Sequence, residues 1–180
     1  MKQTFTTGNK DLLIRKAADA DAQAIITFAG DLFSSSDQVL TVPDEFDPTL
    51  EQERDFIRVH SRPDALILIA LDGEKVVGLL NFLPANSFKM RHTGEFGLSV
   101  HPAYQRMGIG RKMLQVLLDW AAQQPDIEKV LLRVFHTNEP ALKLYESCGF
   151  VKEGRQVRAI KQKDGSYADL IHMAWTVERR

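Results

Sequence analysis

The stretch Ser99-Val100-His101-Pro102-Ala103-Tyr104-Gln105-Arg106-Met107-Gly108-Ile109-Gly110-Arg111-Lys112 reads as the end of a strand, a loop, and the start of a long helix. Ile109 to Gln123 carries apolar residues at helical spacing and is stopped near Pro125, so the helix begins inside the glycine-containing segment. The first N–H groups of a helix lack intrahelical partners and attract anions. Gly108 and Gly110 offer no side chain to hold a phosphate away from the backbone. Arg106, Arg111 and Lys112 add positive charge, which makes a pyrophosphate the natural guest. Two other phosphate motifs are excluded. GxxxxGK[ST] occurs nowhere in the chain, and Met113 stands where a dinucleotide fingerprint needs its third small residue. A tight strand-to-helix turn with no ligand would use two such glycines as well, so the loop alone leaves both readings open.

Upstream of the loop, Gly94 to Val100 is predicted as a strand. Before it, Ala65 to Leu71 and Val76 to Leu83 form a hairpin around Asp72-Gly73. Leu12 to Lys16 reads as a further strand. Asp19 can cap a helix running to about Phe33, with Ala22, Ile25, Ile26, Ala29 and Phe33 on one stripe. A second helix runs from about Pro48 to His60, after a polar stretch from Ser34 to Pro48 that is longer than an ordinary connection. Downstream, Val130 to Phe135 is a strand and Asn138 to Cys148 a helix stopped by Gly149. Phe150 to Ile160 and Tyr167 to Val177 are strands around Asp164-Gly165. Helices interleaved with strands in this order predict an α/β (α+β) fold, a mixed sheet with helices on both faces. At 180 residues the chain fits a single domain, 1–180.

A second segment agrees with the loop. Asn138-Glu139-Pro140-Ala141-Leu142-Lys143-Leu144-Tyr145-Glu146-Ser147-Cys148-Gly149-Phe150 follows the pattern N-x-x-A-x-x-x-Y-x-x-x-G-F, and Gln105-Arg106-Met107-Gly108-Ile109-Gly110 follows Q/R-x-x-G-x-G/A. Together, one strand apart, they resemble the acyl-CoA motifs of the GNAT acetyltransferases. The specific resemblance covers residues 94–151, and the element order agrees along most of residues 11–177. It implies a mostly antiparallel, twisted sheet of about seven strands. It also implies transfer of an acetyl group from acetyl-CoA, without a metal, to a primary amine by direct attack.

The resemblance further implies roles for individual residues. The backbone of Leu98, Ser99 and Val100 would pair with the pantetheine arm, and an N–H there could polarise the thioester carbonyl. The side chains of Leu98 and Val100 also suit plain core packing. The loop residues Gln105, Arg106, Met107, Gly108, Ile109, Gly110 and Arg111 would hold the pyrophosphate. Asn138 would cap its helix and contact the arm. Tyr145 would stand beside the departing sulfur as general acid, although periodicity alone makes it a half-buried core tyrosine. A phenol near pKa ~10 protonating a thiolate near ~8.5 is uphill by about 2 kcal/mol. For a base, some ribosomal-protein acetyltransferases carry a Glu where Arg133 stands here, so Glu95 is the next candidate, acting through water; its plain reading is an exposed strand-end carboxylate. His136 is a lesser candidate, and His101 reads as a loop residue. A weak base suits an α-amino group, about 10% neutral at pH 7, better than a lysine-like amine. Cys148 lies at a helix C-terminus, where the dipole disfavours a thiolate, and reads as packing.

Composition narrows the partners. A formal net charge of −1 gives no electrostatic case for nucleic acid or a membrane surface. Residues 1–90 carry 9 Lys+Arg against 14 Asp+Glu, and residues 91–180 carry 14 against 10. One cysteine excludes an intrachain disulfide and a thiolate metal cluster, and the start of the chain has no apolar signal core, so a cytoplasmic protein is expected. The resemblance leaves a homodimer open. For the acceptor, Asp37, Asp44, Glu45, Asp47, Glu51 and Glu53 could gather a polyamine-like cation, whereas Arg155, Arg158, Lys161 and Lys163 could hold the carboxylate of an amino acid. A peptide N-terminus, or acyl-CoA binding without turnover, are the alternatives.

Overall fold

The computed structural model describes residues 2–7 and 10–178. The chain divides into two compact units, Met1–Leu83 with Gly97–Leu117, and Pro84–Phe96 with Leu118–Arg180.

The first unit is built on an antiparallel meander. Strands β1 (Lys2–Thr7), β2 (Lys10–Lys16), β3 (Leu66–Asp72) and β4 (Lys75–Pro84) pair in the order β1-β2-β3-β4. Every residue from Leu66 to Ala70 is at most 1% exposed, so β3 is covered on both faces, which explains its unbroken apolar run. Helices α1 (Ala22–Ser35) and α2 (Leu50–His60) supply Ile25, Phe28, Leu32 and Ile57 to a core shared with Ile67 and Ile69. Helix α2 starts on a reciprocal cap: Gln52 N–H donates to the Thr49 hydroxyl at 3.2 Å and Thr49 N–H donates to Gln52 Oε1 at 2.7 Å. Helix α3 (Ile109–Gln123) approaches β4 at Gly78, where a Cβ would stand 3.0 Å from Met113 Sδ and 3.2 Å from Ala70 Cβ. Even an alanine there would require Met113 and Ala70 to give by a few tenths of an ångström.

In the second unit, β5 (Thr93–Val100) begins as a parallel partner of β6 (Lys129–Phe135), with Thr93↔Lys129, Gly94↔Val130 and Glu95↔Leu131. Strand β6 pairs antiparallel with β8 (Tyr167–Thr176), and β8 with β7 (Val151–Lys161), giving the order β5-β6-β8-β7. Helix α4 (Glu139–Ser147) is capped by Asn138, whose Oδ1 accepts from Ala141 N–H at 3.2 Å. Gly149, at φ 90°, ends the segment in the left-handed turn that glycine adopts freely.

The fold is mixed α/β, as the element order predicts, and its strands are mostly antiparallel, as the resemblance implies. Three details differ. The structure adds an eighth strand, β1, formed by the polar segment KQTFTT, whose every residue is exposed or half-buried. Asp19 opens a 3-10 turn, Asp19–Asp21, and α1 starts only at Ala22. The Asp21 carboxylate instead accepts from Ala18 N–H at 2.8 Å and pairs with Arg15. Finally, Phe28 and Leu32 complete the buried stripe of α1, while Ile26 and Phe33 are half-buried. Among the described residues no helix is long and apolar enough to cross a membrane.

Candidate active site

In the first unit, the loop between β5 and α3 has the geometry of an anion cradle. Arg106 and Gly108 both lie in the left-handed region, at φ 61° and 80°. Left-handed residues interspersed in a turn gather successive N–H groups on one side, which is the basis of anion-binding nests. A Cβ built on Gly108 would meet nothing within 4 Å, so the open side of the loop is not filled by protein. Ile109 is buried and anchors the first turn of α3, in which Gly110 lies, while Arg111 is exposed. Gln105 reaches back to the strand, donating from Nε2 to the Val100 carbonyl at 3.3 Å. Leu98, Ser99 and Val100 are half-buried. His101 is a loop residue, as read: its Nδ1 accepts from Ala103 N–H at 3.2 Å.

The loop is braced by residues that the sequence did not single out. The Thr7 hydroxyl donates to the Met107 carbonyl at 2.8 Å, across 100 positions of sequence. The C=O and N–H of a trans peptide point in opposite directions, so this bond turns the Gly108 N–H away from Thr7. Three residues earlier in the loop, the Tyr104 hydroxyl donates to Asp72 Oδ2 at 2.9 Å, and Lys10 pairs with the same carboxylate. Thr7, the last residue of β1, and Lys10, the first of β2, thus both hold the loop. Nothing local in KQTFTT could have announced this, because the contact is purely long-range.

Tyr145 lies in the second unit. Its ring is 7% exposed and packs against Phe96 and Phe150, with centroids 5.9 Å from each. The periodicity reading is therefore correct for the ring. The hydroxyl is different. Among the described residues nothing bonds it, yet it is not one of the fully sealed polar atoms of the core. Burial pushes the phenol up to about 12. Full proton transfer to a thiolate near ~8.5 is then uphill by about 5 kcal/mol, so the hydroxyl suits hydrogen-bond donation better than complete transfer.

Glu95 and Arg133 meet. Arg133 Nε donates to Glu95 Oε1 at 2.7 Å, and both side chains are about half exposed (46%). Arg133 therefore sits on the candidate base and engages one of its oxygens. His136 cannot serve at Nδ1, which already accepts the Asp169 N–H at 3.0 Å. In the first unit, the region between α1 and α2 holds a 380 Å³ cleft lined by Ile26, Gly30, Asp31, Phe33, Pro43 and Phe46. Of the acidic residues expected there, Glu51 is tied to Arg54 and Arg58, and Glu53 is buried.

A family model described as the acetyltransferase (GNAT) family matches residues 31–150. The chain belongs to that family. Its relatives include an L-amino acid N-acetyltransferase of Escherichia coli, 26% identical over 167 residues that cover 91% of this chain and 97% of the relative. A spermidine N(1)-acetyltransferase of Vibrio cholerae is 27% identical over 115 residues, 64% of this chain and 65% of the relative. Among solved structures, a GNAT-family acetyltransferase from Streptococcus pneumoniae superposes with a TM-score of 0.88 at 26% identity, covering 92% of this chain and 99% of that one. This GNAT chain is thus an N-acetyltransferase, of a family that uses acetyl-CoA. The open loop at Gly108 fits that cosubstrate's pyrophosphate, since no protein atom stands within 4 Å of where a side chain would be.

Proposed function

We propose that this enzyme moves the acetyl group of acetyl-CoA to the primary amine of a small molecule, amino acid or polyamine-like, by direct attack within one domain, 1–180. Acetyl-CoA supplies the acetyl group as an activated thioester. The backbone N–H groups of the Arg106–Gly110 loop bind the pyrophosphate, with Arg106 and Arg111 adding charge. The backbone of Leu98, Ser99 and Val100 orients the arm, and Asn138 adds a side-chain contact beside its capping role. The Tyr145 hydroxyl donates a hydrogen bond to the sulfur as negative charge builds on it. Glu95, half engaged by Arg133, takes up the amine proton through water.

The observation that carries the reading is Tyr145: its ring is fixed in the core between Phe96 and Phe150, and its hydroxyl has no hydrogen-bond partner among the described residues, which leaves it free to donate to a departing group. The test is acetyl-CoA-dependent release of free thiol across a panel of amino acids, polyamines and peptides. Turnover with peptides alone would assign the enzyme to protein N-termini. Tight acetyl-CoA binding without turnover on any acceptor would make it a sensor.

A further inference from the structure

We propose that the acceptor carries a carboxylate, and that this carboxylate is held by the guanidinium of Arg158 and the Nε2–H of His136. This rests on the acetyl-transfer reading above and selects the substrate class within it.

The argument starts from a strained residue. Arg158 lies in the register break of β7 between Gln156 and Ile160, with φ 54°. A non-glycine residue in that region costs of the order of 1–3 kcal/mol and persists only where its surroundings impose it. Here the imposing group is Asp169 on β8, whose Oδ1 accepts the Arg158 N–H at 2.7 Å. The strained backbone directs the side chain over the Tyr167 ring, with the guanidinium carbon 4.0 Å from the centroid. Ring stacking pre-organises a guanidinium without using its N–H donors. Among the described residues no carboxylate pairs with Arg158, whereas Arg133 and Arg155 of the same unit are both spoken for.

Asp169 organises two further groups. Its Oδ2 accepts from Arg155 Nε at 2.6 Å, and its own N–H donates to His136 Nδ1 at 3.0 Å. The Arg158 N–H and then Arg155 hold its carboxyl below the usual range, so it stays ionised at neutral pH. With Nδ1 accepting, the neutral His136 ring must carry its proton on Nε2. That N–H has no partner among the described residues, and the ring is half-buried. One aspartate has thus been answered by one arginine, while a second guanidinium, on the β7 side of β8, and an imidazole N–H, just past the end of β6 on the other side, have no hydrogen-bond or ion-pair partner among the described residues. Planar guanidinium donors match a carboxylate in bidentate fashion, and a neutral imidazole N–H suits its remaining lone pair. With two guanidiniums against one carboxylate the cluster is net positive, which disfavours a polyamine.

Matched acceptors decide the matter: L-leucine against 3-methylbutylamine, L-phenylalanine against 2-phenylethylamine, with spermidine and a short peptide as further arms. The parent enzyme is expected to favour each amino acid over its decarboxylated partner by about 100-fold in kcat/KM. Arg158→Gly removes the guanidinium and relaxes the left-handed backbone, so misfolding from strain is avoided. It should raise KM for the amino acids at least tenfold, leave kcat within about threefold, and leave the plain amines unchanged. His136→Phe should act in the same direction with a smaller change, and Arg158→Lys should restore part of the loss. A parent that acetylates the plain amines or spermidine as well as the amino acids overturns the carboxylate site while sparing the acetyl-transfer reading. So does an Arg158→Gly variant with parental KM values. No thiol release with any acceptor overturns both.

Discussion

At the scale of single residues, Tyr145 combines two properties that pull in different directions. Its ring is core, wedged between Phe96 and Phe150, while its hydroxyl has no hydrogen-bond partner among the described residues. Tyr145→Phe keeps the first and removes the second. The variant is expected to fold and to bind acetyl-CoA normally, but to lose about 100-fold in single-turnover rate, equivalent to about 3 kcal/mol in the barrier. Steady-state rates alone could hide the loss if product release limits turnover. A single-turnover rate equal to the parent's would remove Tyr145 from the chemistry. Burial raises this phenol to about 12, so no tyrosinate forms in the assayable range, and no activity loss from its ionisation should be seen up to pH 10. Glu95 is expected to matter less. Arg133 engages one oxygen, and an α-amino group is already about 10% neutral at pH 7. Glu95→Gln should therefore lower kcat/KM by less than about tenfold, with the rate of both proteins climbing from pH 6 to 8. A collapse of activity at every pH would show that the carboxylate is an obligatory base.

Elements show what the sequence could and could not reveal. The loop and α4 were legible because their signals are local: glycines at a helix start, an asparagine cap, a glycine stop. The buried β3 announced itself as an unbroken apolar run. By contrast β1 is polar and has no buried residue, and its function lies in one contact 100 positions away, so no window of sequence could expose it. The same holds for the Arg133–Glu95 pair, which depends on the parallel register of β5 and β6. The brace of the β1–β2 hairpin on the loop carries its own prediction. Thr7→Val keeps the β-branched shape and deletes the hydroxyl that fixes the Met107–Gly108 peptide. Loss of one such hydrogen bond is worth about 1 kcal/mol, so acetyl-CoA should bind roughly fivefold more weakly by calorimetry. Binding of acetyl-pantetheine, which lacks the pyrophosphate, should not change, and Thr7→Ser should recover the parental affinity. An equal loss for both ligands would mean that the hairpin supports the fold in general and has no particular role in orienting the loop.

For the molecule as a whole, cosubstrate binding should be visible as stability. A ligand that binds only the folded chain at 100 times its Kd adds about 2.7 kcal/mol. For a chain of 180 residues, each kcal/mol moves the midpoint by about 2–4 °C, so saturating acetyl-CoA should raise Tm by roughly 5–11 °C. A single domain further predicts one cooperative transition with and without ligand. Gly108→Val serves as the control. Its φ of 80° is one that a β-branched residue tolerates poorly, and the new side chain would stand in the open space of the loop. The variant's own Tm should fall by a few degrees from the strain, and its shift with acetyl-CoA should disappear. Parent protein that does not respond to a large excess of acetyl-CoA would refute the pyrophosphate loop. A response retained by Gly108→Val would place the ligand elsewhere. If instead the melt separates into two transitions and only one moves with acetyl-CoA, the chain is not one domain, and the transition that moves identifies the unit that supplies the dominant contacts.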